Sequence, residues 1–386
     1  MLSSFSKSGP IFLITARLKT IDWYLIFATL PVSGAGLLTM NSFAGESQFY
    51  EKQIIWLLFS VAIFFVLSFI DFRFLRRTDV VVIIFGLSVA LLSLLLLKGE
   101  AIKGARSWFD LGQLSFQPVD LAKLSLILLL AKYFSRRHIE IAHFRHIIVS
   151  GLYASLFFFL TLLQPDFGSA IIIFLIWLGM VLVSGISKKH LLLVFLGGLL
   201  AAVVFWFFVF EDYQRQRVFT FINPLTDVRG AGYNAYQSTI AVGAGGILGK
   251  GVGYGTQSRL NFLPEYQTDF IFAAFAEEWG FVGVILLFGL YAVVLWRILI
   301  NASRGPSNFE ILFGIGVAIL FLSHLTINIG MNIGLLPITG TTIPLMSYGG
   351  SHLLAEFAAL GVIMGMQRYQ RAAHKDAVKN EFLGPA

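Results

Sequence analysis

The sequence predicts an all-α, polytopic membrane protein with about ten transmembrane helices and one large extracytoplasmic loop between helices 7 and 8. Three observations lead there. The 386 residues are 57% hydrophobic and 13% charged, with a mean hydropathy of +0.81, more apolar surface than a soluble chain of this size can cover. Low-charge runs of about 17–20 residues recur, the length that crosses a hydrocarbon core of roughly 30 Å as helix. Runs such as Leu191–Phe210 lack the two-residue alternation of a membrane strand, which excludes a β-barrel.

The elements follow in chain order. A span at about 22–40 comes after a basic segment with Lys7, Arg17 and Lys19. Spans at about 53–70 and 80–97 flank Arg73, Arg76 and Arg77. Residues Lys98–Gln117 separate them from a fourth at about 118–134, and Lys132, Arg136, Arg137 and Arg145 lie before a fifth at about 147–163. Asp166, in LLQPDFG, breaks the chain ahead of the sixth, about 168–186; Lys188 and Lys189 precede the seventh, about 191–210. After the long loop, about 211–269, come spans at about 270–296, 309–330 and 350–367. The loops on the side of both termini hold most of the Lys and Arg, and the opposite set holds about half as many, so both termini read as cytoplasmic and the long loop as outward-facing. No internal repeat is evident, so residues 1–386 read as a single integral membrane domain.

Composition also removes function classes. Zero cysteines exclude disulfides, Fe–S centres and thiolate catalysis. The net charge of +7 is accounted for by the basic inner loops, so no nucleic-acid partner is implied. The seven histidines form no HExxH and no carboxylate–histidine ligand set, so no intrinsic metal site is expected. Gly249-Lys250-Gly251 resembles a phosphate loop only superficially, because Ala244 and Gly251 stand where that motif needs glycine and a hydroxyl residue. The glycines of the long loop read as turn and close-packing positions.

The chemistry-bearing stretch is RLNFLPEYQTDFIFAAFAEE, Arg259 to Glu278. Thr268 is placed to cap the eighth span, and Asp269 sits at its outward start. Two readings of Asp269 stand: a carboxylate complementing the helix N-terminus, or a general base held in low dielectric. Glu265, Glu277 and Glu278 crowd it with more acid than capping requires. Arg106, beside Trp108, is a candidate clamp for an anionic headgroup or an interfacial anchor. Lys123 lies about one turn inside the fourth span, where a lone charge costs roughly 2.5–3.5 kcal/mol; Asp120 at i−3 is its candidate ion-pair partner. Arg215 and Arg217, in DYQRQR, lie just past the seventh span and suit phosphate or lipid headgroups. His324, Asn328 and Asn332 share one face of the ninth span and suit interhelical hydrogen bonds. Glu356 is an intramembrane acid in need of a partner.

The segments GARSWFDLG, FQPVDLAKL, LLQPDFGSA, DYQRQRVFTFINP, GAGYNAYQSTIAVGAGGILGKG, GTQSRLNFLPEYQTDFIFAAFAEEWGFVG and NIGLLPITGTTIPLMSYGGS together resemble the SEDS (shape, elongation, division and sporulation) family over about residues 20–370. QRQR, GKGVGYGTQS and AEEWGFVG resemble its elongation, RodA-like, branch more than its division branch. The resemblance implies a ten-helix glycosyltransferase that polymerises lipid II at the outer face of the bacterial cytoplasmic (inner) membrane. A lipid II flippase or a non-enzymatic scaffold are the alternatives. It implies Asp269 as the catalytic aspartate, and Arg106, Lys123, Asp166, Glu265, Ser347, Gly349 and Gly350 as positions around a central cavity, which are expected to bind substrate, with Arg106, Lys123 and Arg215 or Arg217 expected at its diphosphate. Implied partners are a class B penicillin-binding protein, other elongation-complex membrane proteins and membrane lipids. No cofactor is certain; a divalent cation, magnesium or manganese, at the diphosphate belongs to the same expectation. Three positions depart from the family pattern: Gln267 stands for histidine, Asp120 for glutamate, and Glu356 for an uncharged residue.

Overall fold

The computed structural model describes residues 21–42, 47–99, 107–110, 115–135, 144–210, 212–223, 230–260, 262–263 and 265–381. Each expected span is a helix. They are α1 (Trp23–Asn41), α2 (Ser47–Ser68), α3 (Thr78–Lys98), α4 (Pro118–Ser135), α5 (Phe144–Leu162), α6 (Phe167–Val183) and α7 (Lys188–Val204), continued by a π-helical turn at Phe205–Val209. Among its described residues the long loop contains three short helices, α8 (Asp212–Ile222), α9 (Ala231–Ala244) and α10 (Thr256–Arg259). Then follow α11 (Ile271–Ser303), α12 (Asn308–Asn332) and α13 (Gly350–Glu381). Between α3 and α4, Phe109–Asp110 and Ser115–Phe116 pair as a two-residue antiparallel hairpin.

Seven of these helices are long and apolar enough to cross a membrane, and α6 is equally apolar but shorter. Charge sets α4 apart, since Asp120, Lys123 and Lys132 all fall within its 18 residues. That is why α4 lies against α12, α3 and α6 rather than facing outward. The centre of the bundle is α12, which packs on α4, α6 and α11; α13 runs along α2, and α11 along α1. In its most apolar stretch α12 is 72% buried, whereas α7 buries none of its own. Small residues bring α13 close to α2: a methyl group on Gly361 would lie 2.8 Å from the Phe64 carbonyl oxygen.

Helix α11 is broken. At 33 residues it is about 50 Å long, and Gly280 inside it has φ 64° and ψ −167°, a conformation open to glycine. The break leaves backbone groups that a membrane core cannot solvate. The glycine-rich segment after α9 satisfies them. Lys250 and Gly251 amides donate to the carbonyls of Glu277 and Glu278, both at 3.0 Å, and the Phe281 and Val282 amides donate to the carbonyls of Gly246 and Ile247 at 2.9 and 3.1 Å. A methyl on Gly249 would stand 2.1 Å from the Glu278 carbonyl oxygen, so backbone meets backbone here. Gly245 and Gly249 are therefore close-packing positions, and Gly246, Gly251 and Gly253 are turn positions at positive φ.

The two acids at the break are buried and committed. Glu277 accepts from Lys250 Nζ at 2.8 Å, the Thr256 amide at 2.8 Å and the Gln257 amide at 3.1 Å. Lys250 thus neutralises a carboxylate instead of cradling phosphate. Glu278 accepts from Ser42 Oγ and, at 2.8 Å, from the Gly253 amide, which ties α1 to the long loop.

Candidate active site

Asp269 lies in a tight turn just before α11. The turn is organised by Glu265, whose φ of 52° is unusual for a residue with a side chain. Its carbonyl accepts from the amides of Thr268, Asp269 and Phe270 at 3.1, 3.1 and 3.3 Å. The carbonyls of Gln267, Thr268 and Asp269 are each held from elsewhere. Tyr348 N donates to Gln267 O at 2.8 Å. Ser347 Oγ donates to Thr268 O at 2.6 Å. Asn328 Nδ2 and Asn332 Nδ2 both donate to Asp269 O, at 2.9 and 3.0 Å. Asn332 Oδ1 also accepts from the Ala273 amide at 3.3 Å, so it caps α11 from a neighbouring helix.

This corrects one expectation. Thr268 does not cap the helix: the cap position is Phe270, with no side-chain cap bond, and the Thr268 hydroxyl donates back to Glu265 O at 3.3 Å. A β-hydroxyl that finds its acceptor within the preceding turn is lost to the helix that follows.

The SYGG turn acts as a clamp. Ser347 Oγ, besides holding Thr268, accepts from the Ile343 amide at 2.9 Å. Gln53 of α2 grips the turn from both sides, donating to Ser347 O at 3.0 Å and accepting from Gly349 N at 3.3 Å. Gly350 meets the Trp56 ring so closely that a methyl group would lie 2.0 Å from it. Ser347, Gly349 and Gly350, expected to bind substrate, are buried and used in supporting the Asp269 turn. Burial also pushes the Tyr348 phenol above its usual range, so it remains a neutral hydroxyl.

Asp269 is half-buried. It faces Gly340, where a methyl group would stand 3.4 Å from its Oδ2. The segment around Gly340 also meets the start of α6, where Gly168 leaves no room for a methyl beside Thr339 O. There Asp166 is the N-cap: its Oδ1 accepts from Ser169 N at 3.0 Å and its Oδ2 from Gln117 Nε2 at 3.3 Å. Asp166 thus caps α6 and ties it to Gln117.

Lys123 is not exposed for a ligand. Its side chain is 4% accessible, and its ammonium meets Asp120 Oδ1 at 3.2 Å and His324 Nε2 at 3.3 Å. The ion-pair reading of Lys123 therefore describes this structure. Asp120 in turn meets His352 Nδ1 at 3.2 Å. His352 was passed over by sequence reasoning, although His352 and Glu356 at i, i+4 form a visible signal.

Arg215 is committed locally. Its Nε donates to Trp206 O at 3.1 Å, at the carbonyl end of the α7 extension, and Nη1 meets Asp212 at 3.6 Å. Its side chain stays 34% accessible. Arg217 lines a cavity of about 190 Å³ with Thr220, Tyr236, Thr239, Pro337 and Ile338. Ile338 belongs to the cluster of Phe270, Tyr266 and Ala273 beside Asp269. Arg106 lies outside the described residues. Gln267 is buried, and its Oε1 has no partner among the described residues. No group of three or more His, Asp or Glu among the described residues is placed to hold a metal ion.

The family model described as cell cycle protein, covering FtsW, RodA and SpoVE, matches residues 17–372. The chain belongs to the FtsW/RodA/SpoVE family. Peptidoglycan glycosyltransferase MrdB of Escherichia coli K12 is 39% identical over 283 residues, 72% of this chain and 75% of that one. Stage V sporulation protein E of Bacillus subtilis is 33% identical over 93% of this chain and all of its own length. Among solved structures, the rod shape determining protein RodA of Thermus thermophilus matches with a TM-score of 0.68 at 31% identity, covering 90% of this chain and 97% of that one. A chain from a peptidoglycan synthase complex, solved for its coordination of polymerization and crosslinking, matches at TM-score 0.77 and 34% identity, over 90% and 98% of the two chains. Like the RodA structures, this FtsW/RodA/SpoVE member is a multi-pass helical membrane protein.

Proposed function

We propose that the chain is a peptidoglycan glycosyltransferase, which polymerises lipid II into glycan strands during cell elongation and releases undecaprenyl diphosphate. The observation that carries this is the Asp269 turn: a half-buried aspartate whose own carbonyl and the two before it are each pinned by α12 or the SYGG turn. Such fixing is what a base needs to meet one hydroxyl in one geometry. A sugar hydroxyl attacks the anomeric carbon, its proton passes to Asp269, and the carbon–oxygen bond to the diphosphate breaks with its electron pair leaving on that group. The diphosphate needs no protonation to leave, so one carboxylate suffices for a single inverting displacement, unlike the acid pairs of glycoside hydrolases.

Cationic help at the diphosphate falls to Arg217, which lines the cavity near Ile338, and to Arg106. Lys123 serves the scaffold instead. A magnesium or manganese ion would add charge at the diphosphate. The orientation rests on the basic loops, with both termini in the cytoplasm and the long loop outside the bacterial cytoplasmic membrane. The working partner is a class B penicillin-binding protein, alongside other elongation-complex membrane proteins; the similarity to a peptidoglycan synthase complex supports this.

The test is purified full-length protein, alone and with its transpeptidase partner, given lipid II. Glycan polymer is expected from the unsubstituted protein and none from folded, partner-bound Asp269→Asn. Normal polymer from Asp269→Asn overturns the base assignment. Lipid translocation in vesicles without polymer overturns the polymerase reading in favour of a flippase.

A further inference from the structure

Ser347 and Tyr348 hold the carbonyls that precede Asp269, so whatever fixes the segment 341–349 also fixes that carboxylate. Two side chains of the helical bundle grip the segment through a shared ionic chain. His324 Nδ1 donates to Thr342 O at 3.1 Å, which leaves Nε2 as acceptor for the Lys123 ammonium at 3.3 Å. At the other end, Leu345 N donates to Glu356 Oε2 at 2.8 Å. Leu345 has φ 63°, a left-handed conformation that residues other than glycine seldom take. Its amide is oriented by that turn, and Glu356 is the group that holds it there.

Between these ends the charges alternate. Lys123 meets Asp120, Asp120 meets His352, and His352 Nε2 lies 3.0 Å from Glu356 Oε1, an ion contact too oblique for a hydrogen bond. All four are buried, from α4 and α13. Both nitrogens of His352 face carboxylates, which suits its doubly protonated form and leaves the chain neutral overall. A buried ionic chain is expensive where apolar packing would fill the same space, and its best-attested use is to select one arrangement among several.

We propose that His352 and Glu356 are positioning residues for Asp269, locking Leu345 and the SYGG turn to α4 so that the Asp269 turn takes a single geometry. They touch neither Asp269 nor substrate and act through Leu345, Ser347 and Tyr348. The inference rests on the polymerase reading for its catalytic consequence, but not for its structural one.

The experiment therefore has two arms on the full-length protein. In the first, lipid II polymerisation is followed for Glu356→Leu and Glu356→Gln with the transpeptidase partner present. Glu356→Leu is expected to lower kcat at least tenfold with KM within twofold. Glu356→Gln, which keeps an acceptor for the Leu345 amide, is expected to recover most of that loss. In the second, Asp269→Cys is placed in this cysteine-free chain and its reaction with a membrane-impermeant maleimide is timed. The rate is expected to rise at least fivefold when Glu356→Leu is added, and less than twofold with Glu356→Gln. Full kcat in Glu356→Leu, a loss confined to KM, or an unchanged labelling rate overturns the proposal. Should Glu356→Leu not fold, His352→Asn, which reaches Asp120 but not Glu356, is expected to lower kcat at least threefold; an unchanged kcat there overturns it too. If the unsubstituted protein makes no polymer, the polymerase reading fails, and the labelling arm still decides the positioning.

Discussion

Asn332 Nδ2 lies 3.0 Å from the carbonyl oxygen of Asp269, and both groups are held in the interior between α11 and α12. With Oδ1 on the Ala273 amide, one side chain fixes the candidate base and caps the helix that follows it.

Asn332→Leu therefore removes a donor and an acceptor at once, leaving a buried amide unpaired at a cost of about 1–3 kcal/mol. The expected result is a melting temperature several degrees lower and at least a tenfold fall in polymerisation, read by thermal unfolding and glycan assay. Asn328→Leu leaves Asn332 in place on the same carbonyl and is expected to cost activity less.

Lys123 gives a sharper test of scaffold against substrate contact. Lys123→Met and Asp120→Asn are each expected to lower stability, and the double variant less than their sum, with a coupling of about 0.5–3 kcal/mol. Additive losses, together with a raised KM for lipid II in Lys123→Met, would instead place the ammonium at the diphosphate.

The break in α11 predicts an intolerant glycine. Gly280→Ala puts a methyl 2.2 Å from the Gly249 nitrogen at a φ of 64°. Loss of most folded, monodisperse protein on extraction is expected, and an unchanged yield and melting temperature would contradict the backbone-to-backbone contact described above.

Glu277 should matter more for stability than the exposure of its partner suggests. Its carboxyl is fully buried and receives Lys250 and two backbone amides. Glu277→Ala leaves two buried amides without an acceptor, at about 1–3 kcal/mol each, and removes the partner of the partly exposed Lys250. Lys250→Met keeps the amides on the carboxylate and is expected to cost clearly less, by comparison of melting temperatures.

The sequence by itself determined the spans, because a helix that crosses a membrane is written in apolar length, and each expected span is a helix here. It also identified Asp269, Lys123 with Asp120, and the polar face of His324, Asn328 and Asn332, since charge and amide in an apolar run stand out locally. What each of these touches was decided by tertiary structure. Ser347 and Gly350, expected around the cavity from the family resemblance, lie against Thr268 and Trp56. Arg215, a candidate for phosphate or lipid headgroups, also donates to a carbonyl of the α7 extension. Glu356 had no partner in the sequence, because its partners are His352 on its own helix and the amide of Leu345, an ordinary residue in a left-handed turn. The physical reason is common to all of them. Burial cost is a property of one segment and its solvent, so it shows in local composition. A hydrogen bond to a carbonyl or amide leaves no mark in the partner's side chain, and the Asp269 turn is held almost entirely by such bonds.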